Sequence, residues 1–83
     1  MYFVYVLKSK IAKKSYVGMT DDLERRLREH NSNKHFYTKR YSPWEIIYTE
    51  QFKTRQEAHE RELFFKTTIG RRRLKLIFNK LNV

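Results

Sequence analysis

Tyr2-Phe3-Val4-Tyr5-Val6-Leu7 and, after a lysine-bearing connection (Lys8 to Lys14), Ser15-Tyr16-Val17-Gly18-Met19 decide the fold of this chain. In the first run Tyr2, Val4 and Val6 fall on one face of a strand and Phe3, Tyr5 and Leu7 on the other. Both faces are apolar, which predicts a strand central in its sheet. The second run resumes extended character through Tyr16 and Val17, and so short a connection predicts an antiparallel hairpin.

Working outward, Asp21 with Glu24 three residues on gives a capping-box-like start to a helix that reaches about Asn31. Pro43 opens a third strand over Trp44 to Phe52. Thr54 and Glu57 form a Thr-x-x-Glu capping box, predicting a helix to about Ile69 that Gly70 stops. A last helix from about Arg72 to Leu81 carries Leu74, Ile77, Phe78 and Leu81 at i, i+3, i+4, i+7. With Trp44, Ile46 and Tyr48 these are read as core. The order β-β-α-β-α-α predicts one α+β domain over residues 1–83, a small three-stranded antiparallel sheet flanked by helices.

Composition narrows the function. Of 83 residues, 19 are Lys or Arg and 9 are Asp or Glu, a formal net charge of +10 that points to polyanions, nucleic acid first. No cysteine is present, which excludes a disulfide framework, a thiolate nucleophile and a Cys-based zinc site. The three histidines lack zinc-like spacing. No run approaches a membrane span and no signal-peptide pattern opens the chain, so a cytoplasmic protein without a membrane partner is expected.

Polar residues beside apolar stripes carry the functional signal. In the first helix Leu23 and Leu27 define the inward stripe, and Arg26 and His30 border it. Asp22 offers Arg26 a structural partner four residues away. In the second helix Ala58, Phe65 and Ile69 form a stripe whose i+4 member is Glu62. A carboxylate there needs a cation, either an ion pair such as one with Arg26 or a hard metal ion. His59 faces away from that stripe. Tyr5 and Tyr16 sit mid-strand in the hairpin, where their rings can approach across the ladder.

Phe3-Val4-Tyr5, Tyr16-Val17-Gly18 and Asp22-Leu23-Glu24-Arg25-Arg26-Leu27-Arg28-Glu29-His30-Asn31 together resemble the GIY-YIG nuclease superfamily. The resemblance is closest to its small stand-alone members, related to the nuclease domain of the bacterial excision-repair subunit UvrC. It covers nearly the whole chain and includes the Glu57-Ala58…Glu62 segment. It implies a one-metal endonuclease that hydrolyses phosphodiesters in DNA, structure-directed or weakly specific, in a repair or recombination setting. On that resemblance Tyr5 and Tyr16 are the paired active-site tyrosines, one of which helps activate the attacking water. Arg26 stabilises charge on the phosphorane. Glu62 holds Mg²⁺ or Mn²⁺. His30 positions or protonates a phosphate oxygen, and Gly18 keeps a strand end close to the helix start. No small-molecule cofactor is implied. Phe3 stands where the family name has glycine, and Met19 stands where some relatives carry lysine. A functional asparagine of larger members is not assigned to Asn79 or Asn82.

Two basic segments predict a nucleic-acid surface. One is Lys66, Arg71, Arg72, Arg73 and Lys75, with Arg71 to Arg73 expected at a helix N-terminus that favours a nearby anion. The other is Lys34, Lys39 and Arg40, interleaved with His35, Phe36, Tyr37 and Tyr41, whose rings suit stacking on unpaired bases. Such contacts do not encode sequence, and they do not separate DNA, the expected partner, from RNA. Two alternatives follow from the same residues: a catalytically idle nucleic-acid-binding module, and an adaptor whose basic tail docks an acidic protein.

Overall fold

The computed structural model describes residues 1–32 and 36–83, and of 36 and 37 the backbone. The elements are β1 (Tyr2–Ser9), β2 (Ser15–Thr20), α1 (Leu23–Asn31), α2 (Phe36–Lys39), β3 (Trp44–Phe52), α3 (Arg55–Phe65) and α4 (Thr68–Leu81). The expected β-β-α-β-α-α order holds, with the single turn α2 added before β3. The sheet is antiparallel in the order β2-β1-β3, so the strand with two apolar faces is the central one.

Each face of β1 roots one layer of core. Val4 and Val6 pack with Val17 of β2 and with Ala58, Phe65 and Leu74 of α3 and α4. Tyr5 and Leu7 pack with Trp44 and, less deeply, with Leu23 and Leu27 of α1 and with Tyr16, Tyr41 and Ile46. The sheet therefore lies between α1 on one side and α3 with α4 on the other. A β-bulge opposite Val6 and Leu7 places Ile47 and Tyr48 both in the first layer, whereas Trp44 and Ile46 serve the second.

The helix starts obey local chemistry. Asp22, one residue later than expected, caps α1 by accepting from the Arg25 amide at 3.1 Å. Thr54 and Glu57 close the reciprocal capping box of α3. Asn31 ends α1 by acting as a surrogate strand. Its Oδ1 accepts from the Trp44 amide at 2.6 Å and its Nδ2 donates to the Trp44 carbonyl at 3.2 Å. On the other layer Arg61 grips Glu50 through Nε at 2.7 Å and Nη2 at 3.1 Å, while the Tyr48 hydroxyl donates to the same carboxylate at 2.6 Å. That network ties α3 to β3.

The boundary between the last two helices corrects the expectation. The second ends at Phe65 with Lys66 as its C-cap, and Thr67 caps a new helix by accepting from the Gly70 amide. Gly70 does not stop a helix; it lies inside the first turn of α4, pressed against the end of α3. A Cβ there would fall onto the Phe64 carbonyl oxygen and within 2.6 Å of Phe65 Cα, so only glycine allows the two helices to meet this closely. The break turns Ile69 out of the expected stripe to 69% exposure, and Leu81, near the chain end, is also exposed. Because α4 begins at Thr68, Arg71 to Arg73 lie beyond its first turn, where the helix dipole no longer weighs on them.

Two stability measurements follow. Gly70→Ala is expected to destabilise by about 1–3 kcal/mol, since the obstructing atoms are backbone and cannot rotate away. Thermal unfolding that matches the wild type would show the α3–α4 contact to be slack. Burial works to raise the Glu50 pKa, but hydrogen bonds from Arg61 and Tyr48 outweigh it and hold it below the ordinary carboxylate range. A depressed carboxylate contributes stability above its unfolded pKa that is lost as pH falls through the folded one. Melting temperature should thus fall on acidification from about pH 5 toward pH 2, and less steeply in Glu50→Gln; equal slopes would take Glu50 out of the account.

Candidate active site

Four segments deliver the residues. Tyr5 projects from the centre of β1 into the α1 layer and is 1% exposed. Its register partner on β2 is Gly18. A Cβ on Gly18 would strike the Tyr5 hydroxyl and ring, so the phenol lies across the space that a side chain would fill. The sequence reading gave Gly18 a packing role between strand and helix; the structure assigns that space to Tyr5.

The Tyr5 hydroxyl lies 2.9 Å from His30 Nε2, and His30 Nδ1 lies 3.0 Å from Thr38 Oγ1. His30 and Thr38 are both fully enclosed. Thr38 is itself fixed, since Trp44 Nε1 donates to its carbonyl at 2.6 Å. Each ring nitrogen of His30 thus has a hydroxyl partner. Burial raises the Tyr5 pKa above the ordinary phenol value, and a hydrogen bond from the Arg26 guanidinium only partly offsets it. Tyr5 is therefore held as a neutral phenol between a guanidinium and an imidazole.

Tyr16 completes the ring cluster, with its centroid 6.4 Å from Tyr5 and 4.9 Å from His30. Unlike Tyr5 it is only half-buried. Arg26 reaches Glu29 at 2.8 Å, not Asp22, whose carboxylate is occupied as the cap. Its hollow, about 360 Å³, is lined also by Arg25, Arg55 and the Met19–Thr20 end of β2. Tyr16 lines a second cleft along residues 15–17 of the same strand, so the two openings flank Gly18.

Glu62 stands on α3, and of the charges that act on the Tyr5 hydroxyl its own is the weakest. Its direct contacts are Lys66 Nζ at 3.1 Å and His59 Nδ1 at 3.6 Å, so the ion pair with Arg26 that spacing allowed does not form. Both partners are about half exposed, whereas the carboxylate is 16% exposed. Among the described residues no group of three or more His, Asp or Glu side chains could hold a metal ion. The donor chemistry of one carboxylate fits a hard divalent ion completed by water and phosphate oxygens, and does not fit a structural metal cage.

The basic residues divide. Lys66, Arg71 and Lys75 line the cleft that Tyr16 also borders. Arg72 and Arg73 are exposed outside it, and the charge of Arg73 acts weakly on Tyr48 and Glu50. Lys39 and Arg40 are exposed at the end of α2, in the opposite layer, and Lys34 lies outside the described residues. Asn82 is a left-handed C-cap of α4 (φ 63°). Thr38 was missed in the sequence, where it stands as one hydroxyl in a basic–aromatic run with no pattern to mark it.

Residues 1–75 match the family model described as the GIY-YIG catalytic domain. The chain is similar to the UPF0213 protein YazA of Bacillus subtilis, 38% identical over 82 residues that span 98% of this chain and 82% of that protein. A UPF0213 protein of Clostridium perfringens is 36% identical over 81 residues, 96% of this chain and 86% of its own length. UPF0213 protein YsiG of Lactococcus lactis is 39% identical over 82 residues, 96% and 78% of the two chains. These matches agree with the resemblance read from the two tripeptides and the Asp22–Asn31 run.

Gly18→Ala should separate stability from site geometry. The added methyl meets a phenol that can swing, so a modest loss of stability is expected, about 1–2 kcal/mol, together with displacement of Tyr5 from His30. The measurement is the histidine ring NMR spectrum, in which His30 should shift; an unmoved His30 signal would show that the ring stays in place without the glycine.

Proposed function

Because the chain belongs to the GIY-YIG family, a family of nucleases, we propose that it is a metal-dependent endonuclease hydrolysing phosphodiester bonds in DNA. The observation that carries this reading is the Tyr5 hydroxyl held between Arg26 and His30, with the Glu62 carboxylate in electrostatic reach.

Exposure divides the work of the two tyrosines. Tyr5 is sealed and neutral, and a phenol in that state is a poor base. It acts as the positioning residue that holds the Arg26 guanidinium and the His30 ring. Tyr16 is only half-buried and is the phenol that meets the attacking water. Arg26 lies at the adjoining hollow and supplies fixed positive charge to the oxygens of the phosphate as it becomes five-coordinate. His30 cannot touch a phosphate oxygen from full enclosure; its part is to keep Tyr5, and against it Tyr16, in register. Mg²⁺ or Mn²⁺, when bound at Glu62, would polarise the phosphate and neutralise the leaving oxygen. Glu62 is free to take that part because its present partners are exposed side chains that can yield. The +10 charge draws the substrate without reading its sequence, so weakly specific or structure-directed cutting is expected, with repair or recombination as the setting.

The test uses plasmid, branched and single-stranded DNA with Mg²⁺ or Mn²⁺. The wild type should nick at least one substrate. Glu62→Gln, Arg26→Ala and Tyr16→Phe should each lose on the order of 100-fold or more in rate while keeping most DNA binding. Tyr5→Phe should lose less, about 10-fold, since its role is indirect. If the wild type binds but cuts none of these with either metal, the idle-module reading replaces this one.

A further inference from the structure

The cleft beside Tyr16 has a construction that a phosphate-tracking surface does not need. It is a hollow of about 570 Å³ between the outer edge of β2 and α4, within the ~300–1,000 Å³ that a single small-molecule-sized group occupies. Its floor is apolar, made by Val17 of β2 with Phe65, Leu74 and Phe78. The charged side chains that line it are Lys66, Arg71 and Lys75, and no acid is among them. All three are exposed.

A duplex backbone asks only for cations on an accessible surface, because its bases are stacked away from the protein. A concave apolar floor beneath a cationic rim matches instead a flat aromatic group carrying an anion at its edge. Phe78 presents its ring there, with Lys8 Nζ 4.8 Å from the ring centroid. The helix phase supports the same occupant, since Arg71 and Lys75 are one turn apart on α4 and Leu74 and Phe78 are the apolar pair beside them.

We infer that this cleft receives one unpaired nucleotide of the nucleic-acid strand, its base against Phe78 and Leu74 and its phosphate on Lys66, Arg71 and Lys75. This rests on the nuclease reading and specifies its substrate class: strands with at least one nucleotide out of the double helix. Because residues 15–17 of β2 border the cleft, the captured nucleotide would lie beside the strand that carries Tyr16. A phosphate at Lys66 also competes for the ammonium that now holds Glu62 at 3.1 Å, so substrate capture would loosen the metal-ligating carboxylate.

The experiment measures binding without divalent metal, by fluorescence anisotropy, to three ligands of one length: oligo(dT), the same backbone made wholly of abasic sites, and a blunt duplex. Oligo(dT) is expected to bind roughly 10-fold or more tighter than the abasic strand. In Phe78→Leu, which keeps an apolar side chain in the core, that ratio should fall toward one. In Lys75→Ala all three ligands should weaken together. Amide NMR shifts on adding thymidine monophosphate should concentrate at Val17 and residues 71–78. Equal binding of oligo(dT) and the abasic strand to the wild type would overturn the inference, as would shifts confined to other residues. So would a glutamate-rich peptide that moves those amides when the nucleotide does not. The two readings fail separately: cleavage with no base dependence removes the cleft and leaves the nuclease, whereas base-dependent binding without cleavage does the reverse.

Discussion

The contact on which the site depends is the passage of Tyr5 over Gly18. The central strand must fill both its faces with apolar bulk, and on the α1 side that bulk is a phenol whose hydroxyl cannot be left unpartnered inside the protein. Gly18 gives the ring room to lie flat across the neighbouring strand, which carries the hydroxyl to α1. There Arg26 and His30 satisfy it, and His30 is in turn satisfied by Thr38. A packing requirement in the sheet has thereby fixed the position of a guanidinium and an imidazole. Each member is needed because removing one leaves another buried and unsatisfied, at about 1–3 kcal/mol per group.

Two glutamates at nearly equal burial show how the same residue type is used in opposite ways. The Glu50 side chain is 18% exposed and that of Glu62 16%. Glu50 is held by a two-pronged arginine whose guanidinium also lies 4.7 Å from the Phe64 and Phe65 ring centroids, and by a tyrosine hydroxyl. Nothing in that arrangement can leave without exposing the rest, so Glu50 is structural. Glu62 is met by a lysine and a histidine whose side chains are more than half exposed, pairs of a kind worth about 0–1 kcal/mol. A partly buried carboxylate with weakly held counter-charges is one that a divalent ion or a phosphate can claim from its present partners.

Much of this was legible in the chain because it depends on neighbours in sequence. The alternation in Tyr2 to Leu7 announces a strand with two cores, and Thr54 with Glu57 announces a helix start. Arg26, His30 and Glu62 stand out as polar groups beside apolar stripes, and the structure finds Arg26 and His30 joined through Tyr5. What escaped depends on contacts between distant segments. Thr38 matters only because α2 sets it against His30, and the bulge at Ile47 matters only against Val6 and Leu7. The break at Lys66 and Thr67 escaped because the apolar residues on either side, Phe65 and Ile69, sit at a spacing that continues one helix as readily as it interrupts one. Gly70 then reads as a terminator, when its lack of a side chain serves the contact between two helices.

That last difference changes where the positive charge acts. A helix starting near Arg72 would gather Arg71, Arg72 and Arg73 at its N-terminus as a cluster, facing an anion together with the helix dipole. Starting at Thr68 instead, the helix has them in its second turn, pointing about 100° apart in succession. The run is dispersed: Arg71 joins Lys75 and Lys66 over the cleft, Arg72 faces solvent, and Arg73 lends its field to Glu50. Three adjacent arginines thus have three surroundings, and only the first lines the cleft that Tyr16 also borders. It is the phase of the helix that selects which cations border the cleft, and a count of basic residues in that segment overstates the charge gathered there.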